Sequence, residues 1–355
     1  MNTNDRDRFD KYDAHEARFD PLRANNRPDR RLPEPNHQPK VSHHDIFKGL
    51  TEDLRGLEGG FSPTYQPSHY ERGWLLDSLR LFYEQSLITD VVARIRGGKE
   101  ASVYRCTAHP STGEVELAAK VYRPRRFRSL SNDAVYRQGR TVLLEEGGRV
   151  LANDHRAMRA MEKKSAFGMR ISHTSWLLHE YITLQQLHAA GGAVPQPFGV
   201  SENAILMTYC GDRNLAAPTL NEIKLDTDEA YTIWTEVLRN VELMLSMGIV
   251  HGDLSAYNIL VWEERITIID FPQVVNIENN NTAWDILCRD IVRICDYFQR
   301  QGVKCEGETL ASQLWEQYGV NYNLPIVTAS TAAHTTQQPA FCVKLPLVIP
   351  SPSQS

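Results

Sequence analysis

The stretch VHGDLSAYNIL, residues 250–260, sets a His, an Asp, a Ser and an Asn between two apolar ends. A turn between strands could account for the Asp and the Asn alone, because both side chains hydrogen-bond their own backbone in turns. The spacing also suits chemistry. Asp253 lies five residues before Asn258, so a tight loop can aim one at an incoming nucleophile and the other at a metal ion. Four further groups keep a fixed order around this stretch. RGGKEASVY places Gly97, Gly98 and Ser102, with Lys99 and Val103, at a turn between two strands, where small residues let backbone N–H groups approach phosphate. Lys120 lies in the strand AAKVY and offers a fixed cation; Glu180, in a later helix, could orient it. Asp270 ends the strand in IIDFP, and with Asn258 it offers the hard oxygen ligands that Mg²⁺ takes. Phosphoryl transfer needs this kind of positioning and charge neutralisation more than covalent help. His251 reads as a packed structural histidine.

The elements that must carry these groups follow from periodicity. Ser68 and Glu71 have the spacing of a capping box, and Leu75, Leu79 and Phe82 follow at helical spacing, which predicts a helix over about 71–85. Three strands follow, in DVVARIRGGKEASVYRCTAH and GEVELAAKVYR, joined by Gly-containing turns as in an antiparallel sheet. SWLLHEYITLQQLHAAG is a helix with Trp176, Leu177, Leu184 and Leu187 on its apolar side and Gly191 as its stop. AILMTYCGD is a short strand running into a turn. AYTIWTEVLRNVELMLSMG is the strongest helix, with Ile233, Val237, Val241 and Leu245 at i, i+4 and Gly248 ending it three residues before His251. NILVW and ITIIDF would form a hairpin on the floor of a cleft, joined by the charged turn EER, and WDILCRDIVRICDYFQRQG is a final helix.

The 355 residues suffice for one bilobal unit, and a formal net charge of -5 gives no global reason to expect nucleic acid. No apolar run approaches the roughly 18 residues of a membrane span. The charged N-terminus lacks the apolar core of a secretory signal. Cys106, Cys210, Cys288, Cys295, Cys305 and Cys342 form no C-x-x-C pair, so reduced thiols in a cytoplasm fit better than zinc or disulfides. The expected organisation is a mostly disordered extension over 1–66, an N-lobe over 67–206 with a basic insertion at about 123–170, a C-lobe over 207–320 and a disordered tail over 321–355.

GGKEASVY, AAKVYR, HGDLSAYNIL and IIDFPQVV together resemble the RIO family of atypical protein kinases, over roughly residues 88–300, about 60% of the chain. Ordinary protein kinases carry H-R-D and D-F-G where this chain has His251-Gly252-Asp253 and Asp270-Phe271-Pro272. Aminoglycoside-type phosphotransferases share HGDL and the Asn but lack GKEASVY. The resemblance implies an α+β bilobal kinase-like fold: an antiparallel-sheet N-lobe with helices and a reduced, mostly helical C-lobe. It implies ATP with Mg²⁺, or Mn²⁺, as cofactors. Asp253 would be the catalytic Asp, with Lys120 and Asp270 also at the chemistry, and Asn258 and Asp270 would hold metal. Gly97, Gly98, Lys99, Ser102, Val103, Lys120 and Glu180 would serve the ATP site, and Met207, Tyr209 and Cys210 its hinge. In the family the counterpart of Asp270 can also accept phosphate. Asp290, in CRDI, would anchor the catalytic loop.

Only 14 residues, FPQVVNIENNNTAW, follow Asp270 before the body of the last helix, too few for a usual peptide-binding activation segment. The leading expectation is a RIO-like serine/threonine kinase or ATPase. A small-molecule phosphotransferase and a nucleotide-binding scaffold on a ribosomal or RNA-containing partner are the alternatives. The basic stretches RANNRPDRR and RPRRFRSL keep the last open.

Overall fold

The computed structural model describes residues 61–98, 100–123 and 166–319. Most of the expected N-terminal extension, most of the basic insertion, the tail and Lys99 lie outside the described residues.

Helix α1 spans His69–Glu84, and its Leu75, Leu79 and Phe82 are fully buried. Ser68 stands at the N-cap but makes no side-chain cap bond. The expected partner, Glu71, turns into the sheet, where its carboxylate accepts the Tyr104 hydroxyl and, at 3.3 Å, that of Tyr65. Arg94 lies 3.8 Å away. A buried carboxylate needs donors, and these tertiary partners displace the local cap. Packing also begins before Ser68: Phe61 stacks on Tyr83 at 4.6 Å, and the Tyr65 N–H donates to the Val91 carbonyl at 2.8 Å.

Five strands form the first sheet: β1 (Ile88–Gly97), β2 (Ala101–Ala108), β3 (Glu116–Tyr122), β4 (Pro197–Val200) and β5 (Ala204–Thr208). Their order is β1-β2-β3-β5-β4, every pair antiparallel. The central strand β3 is covered on both sides. Leu117, Ala119 and Val121 join the core under α1, whereas Ala118 and Tyr122 join the core shared with the rest of the molecule. Strand periodicity therefore puts Lys120 on the second face, between Ala118 and Tyr122. Helix α2 (Ala166–Ala189) packs on that side and buries Trp176, Leu177, Leu184 and Leu187.

The second lobe is built on α3 (Thr227–Ser246) and α4 (Ala283–Gln299). Asp226 and Glu229 cap α3 reciprocally, and Ile233, Val237, Val241 and Leu245 are buried as their spacing requires. Four short strands lie between the two helices. β6 (Ile249–Val250) pairs with β9 (Val275–Asn276), and β7 (Ile259–Trp262) with β8 (Arg265–Ile268). Helix α5 (Gly307–Leu314) and a π-helical turn over Trp315–Gly319 close the described chain. The result is the expected α+β bilobal architecture. The strands β4, β6 and β9 and the helix α5 had no sequence signature, being too short for a period to register.

The β7–β8 hairpin forms through EER. Glu263 and Glu264 take φ of 48° and 62°, the left-handed pair that a two-residue turn needs to match strand twist. Cys210, just past β5, reaches down to this hairpin, with its Sγ 3.6 Å from Thr267 Oγ1.

Candidate active site

Three separate segments meet at Lys120. Its Nζ lies 2.6 Å from Glu180 Oε1 and 2.5 Å from Asp270 Oδ1. Glu180 occupies the middle of the apolar stripe of α2, one turn from both Trp176 and Leu184, and is 1% exposed. Its second oxygen accepts the Tyr122 hydroxyl. Tyr122 follows Lys120 by two residues and so shares its face of β3; the ammonium lies 5.2 Å from the Tyr122 ring centroid. Trp176 meets that ring edge-on at 4.7 Å. Burial works against the Lys120 charge, but Asp270 and Glu180 outweigh it and hold the ammonium well above the ordinary lysine range. Burial pushes Asp270 up, and Lys120 overcomes it, leaving the carboxyl below its ordinary range. Burial, then Glu180, pushes the Tyr122 phenol up, so it remains a donor.

The opening stretch forms a loop between β6 and β7. His251 Nδ1 accepts the Asp253 N–H at 3.2 Å, and Nε2 donates to the Ile269 carbonyl at 3.2 Å, the pattern of a single ring tautomer. The ring packs on Phe271 at 4.6 Å. Both nitrogens serve the backbone, which makes His251 a structural residue. Gly252 has φ of 86°, and a Cβ there would lie 2.2 Å from the Gln273 carbonyl, so no other residue fits. Its N–H donates to Asp290 Oδ2 at 2.8 Å, the anchor expected of Asp290. Asp253 accepts from Arg293 Nη1 at 2.9 Å on Oδ1 and from Asn258 Nδ2 at 3.0 Å on Oδ2. Asn258 Nδ2 also donates to the Asp253 carbonyl at 2.9 Å. Both contacts require the amide nitrogen on that side, which leaves the Oδ1 acceptor on the other.

Asn258 and Asp270 come together through the backbone, because the Ile269 N–H donates to the Asn258 carbonyl at 2.9 Å. Asp270 itself has φ of 74°, a strained conformation for a residue with a side chain, although Asp tolerates it better than most. Its side chain is 39% exposed, against 1% for Glu180. Among the described residues no three His, Cys, Asp or Glu gather as a metal cage. One partly exposed carboxylate beside one amide oxygen suits Mg²⁺, which keeps several waters and takes phosphate ligands as well.

The Gly turn is tight. The Gly98 N–H donates to the Ala101 carbonyl at 2.8 Å, and a Cβ on Gly98 would lie 2.9 Å from that oxygen. Gly97 pairs with Ser102 across the strands. Ser102 is 1% exposed and on the same parity as Tyr104 and Cys106, whose side chains join the core under α1. The cleft-side parity belongs to Ala101 and Val103. Ser102 thus turns its hydroxyl away from the cleft. Met207 is still within β5, paired with Ala118, so the chain leaves the sheet at Tyr209, and the Cys210 carbonyl then accepts the Ala217 N–H at 2.9 Å. Burial pushes the Cys210 thiol up.

The RIO domain family model matches residues 102–310. This chain belongs to the RIO family. The RIO match runs from β2 into α5 and takes in every predicted site residue except Gly97, Gly98 and Lys99. Serine/threonine-protein kinase RIO1 of Chaetomium thermophilum is 31% identical over 232 residues, covering 62% of this chain and 41% of that protein. RIO-type serine/threonine-protein kinase Rio1 of Haloferax volcanii is 30% identical over 169 residues, covering 46% of this chain and 57% of that protein. The chain spans about half the length of these RIO relatives. The crystal structure of the Rio2 kinase-ADP/Mg²⁺-phosphoaspartate complex from Chaetomium thermophilum matches with a TM-score of 0.50 at 18% identity, covering 76% of each chain, and that likeness concerns the fold.

Four contacts of the RIO site were not legible in the sequence. Tyr122 on Glu180 has a local signal, the i, i+2 relation to Lys120 within one strand. Arg293 on Asp253 has a weaker one, its place one helical turn after Asp290. Arg96 to Glu222, at 3.1 Å, and Arg105 to the Asp212 carbonyl, at 3.3 Å, join the first sheet to the chain beyond the hinge and have none.

Proposed function

We propose that this chain carries out phosphoryl transfer from Mg-ATP as a RIO-type serine/threonine kinase or ATPase. The observation that carries the reading is the Lys120 ammonium held between a buried carboxylate, Glu180, and a partly exposed one, Asp270. In this reading Lys120 pairs with the α- and β-phosphates while Glu180 and Tyr122 hold it in place. The small-residue turn at Gly97 and Gly98, with Lys99, Ser102 and Val103 beside it, lets the backbone close over the phosphates. The Tyr209–Cys210 backbone, next to Met207, meets adenine. Asn258 Oδ1 and Asp270 would hold Mg²⁺, or Mn²⁺, which when bound neutralises phosphate charge. Asp253 orients the attacking hydroxyl or water.

One feature favours hydrolysis as a second reading. The chain after Asp270 is folded back: β9 pairs with β6, and the Ile277 N–H donates to the Gly248 carbonyl at 2.8 Å. That segment is committed to the lobe beneath it and gives little room for an extended peptide. No helix among the described residues is long and apolar enough to cross a membrane; a cytoplasmic setting, and a ribosomal or other RNA-containing partner for the basic segments, belong to the same proposal. Purified protein with labelled ATP and Mg²⁺ and no added substrate tests the reading. Label on the protein supports the kinase, free phosphate alone supports the ATPase, and neither product refutes both.

A further inference from the structure

Helix α4 grips the Asp253 loop with more than the expected anchor. Arg289, Asp290 and Arg293 lie within one turn of α4, where Asp290 and Arg293 share a face. Asp290 takes the Gly252 N–H at 2.8 Å, Arg289 donates to the Gly252 carbonyl, and Arg293 donates to Asp253 Oδ1 at 2.9 Å. Two consecutive loop residues are thus held by three side chains on one rigid element. Arg293 is 4% exposed and Asp253 6%.

The χ2 torsion of an Asp is broad, so a single donor leaves the carboxylate plane loosely defined. Asn258 supplies one donor, to Oδ2 at 3.0 Å, but it belongs to the same loop and moves with it. Arg293 supplies another, to Oδ1 at 2.9 Å, from outside the loop. Its planar guanidinium stays charged when buried and presents donors in a fixed fork, which an ammonium on a flexible stem does not. We propose that Arg293 is a positioning residue: it fixes the plane of the Asp253 carboxylate against α4 so that Asp253 meets the attacking group in one orientation. The proposal rests on the phosphoryl-transfer reading above. The competing account is that Arg293 only balances a buried charge and matters to folding alone.

The two accounts separate in kinetics normalised to folded protein. The full chain is assayed for ATP turnover and for affinity toward a non-hydrolysable ATP analogue as wild type, Arg293→Met, Arg293→Lys, Asp253→Asn and Asp253→Asn/Arg293→Met. Thermal melts give the folded fraction at the assay temperature. A misplaced catalytic group should cost roughly tenfold or more in kcat for Arg293→Met, while KM for ATP and analogue affinity stay within about threefold. Arg293→Lys should recover part of kcat. In the Asp253→Asn background, removing Arg293 should cost no further kcat, because the group it positions is already lost. Wild-type kcat per folded Arg293→Met molecule overturns the proposal, and so does the same fold-loss in both backgrounds. Arg293→Gln is read in the same way if the Met variant does not fold. Wild-type protein without ATP turnover is a different result, which defeats the phosphoryl-transfer reading itself and this proposal with it.

Discussion

The Lys120 cluster and the Asp253 cluster stand side by side and are built on opposite principles. Around Lys120 one cation faces two carboxylates, contributed by α2 and by the segment after β8, and one of them is 39% exposed. Around Asp253 two guanidiniums, Arg289 and Arg293, face two carboxylates, Asp253 and Asp290, and the ion pairs among them leave no side chain more than 10% exposed. The first cluster carries surplus negative charge at its open end, where a cation can add. The second is balanced and closed. A site that must accept metal and phosphate keeps one partner accessible, whereas a loop that must hold a geometry is compensated internally before any ligand arrives.

This contrast can be broken most sharply at Asp253. Asp253→Asn should retain ATP binding and lose turnover by ~10³-fold, within the usual range for a positioned acid or base. It should also destabilise the fold by about 2 kcal/mol, because Arg293 loses a charged acceptor in a buried setting. Turnover, nucleotide affinity and a urea melt on one preparation check all three. Unchanged stability would mean that the closed cluster is not compensated as described.

Lys120→Met comes next. Removing a cation aimed at phosphate should lower the rate by roughly 10²-fold. Glu180 would keep only Tyr122 as a partner in a buried place, so stability should fall by about 3 kcal/mol. Asp270→Asn should cost the fold less than about 1 kcal/mol, since the exposed partner is screened by water, yet raise the Mg²⁺ concentration needed for activity. Equal destabilisation by the two variants would erase the asymmetry between buried Glu180 and open Asp270. A Mg²⁺ titration unchanged in Asp270→Asn would remove Asp270 from the metal site.

The same pair has a pH signature. The Asp270 carboxyl is depressed in the folded protein, so its contribution is present above the unfolded value, about pH 3.9, and is lost as pH falls through the folded value. Lys120 is raised, so its contribution is present below about pH 10.4 and is lost as pH rises through the folded value. Thermal melts between pH 2 and pH 6 should lose part of their acid dependence in Asp270→Asn, and melts that keep all of it would remove the Lys120–Asp270 pair as its source.

The smallest effect lies in the hairpin beneath both clusters. Glu263→Asn with Glu264→Gly replaces two residues at positive φ by types that suit it and should stabilise the protein by about 1 kcal/mol with unchanged turnover. A calorimetric scan and an ATP assay check this. A change in turnover would show that the hairpin does more than support the site.

The difference in legibility follows the same division. Lys120, Glu180, Asp253, Asn258 and Asp270 could be picked out because the spacing of polar groups inside apolar strands and helices has few other uses. Their helices could be read because four or five turns give a period room to register. Arg293 was missed because a guanidinium on a helix is ordinarily solvated, and nothing local reports that its face is buried. The Ser68–Glu71 cap was misread because local pattern cannot register Tyr65 and Tyr104, which offer Glu71 better partners from the sheet. That the Ser102 hydroxyl faces the core under α1 could not be read, because a turn's sequence does not state the parity with which its strand leaves it.

By itself, then, the amino-acid sequence determined the longer strands and helices, the RIO-type motifs and the polar residues set among them. Those properties reside in short-range spacing, which backbone periodicity converts directly into faces and loops. The tertiary structure alone decided which charges are paired and which stay open. Pairing depends on burial and on distances between residues such as Lys120 and Asp270 or Asp253 and Arg293. Those distances come into being only when β3, α2 and α4 pack around one cleft.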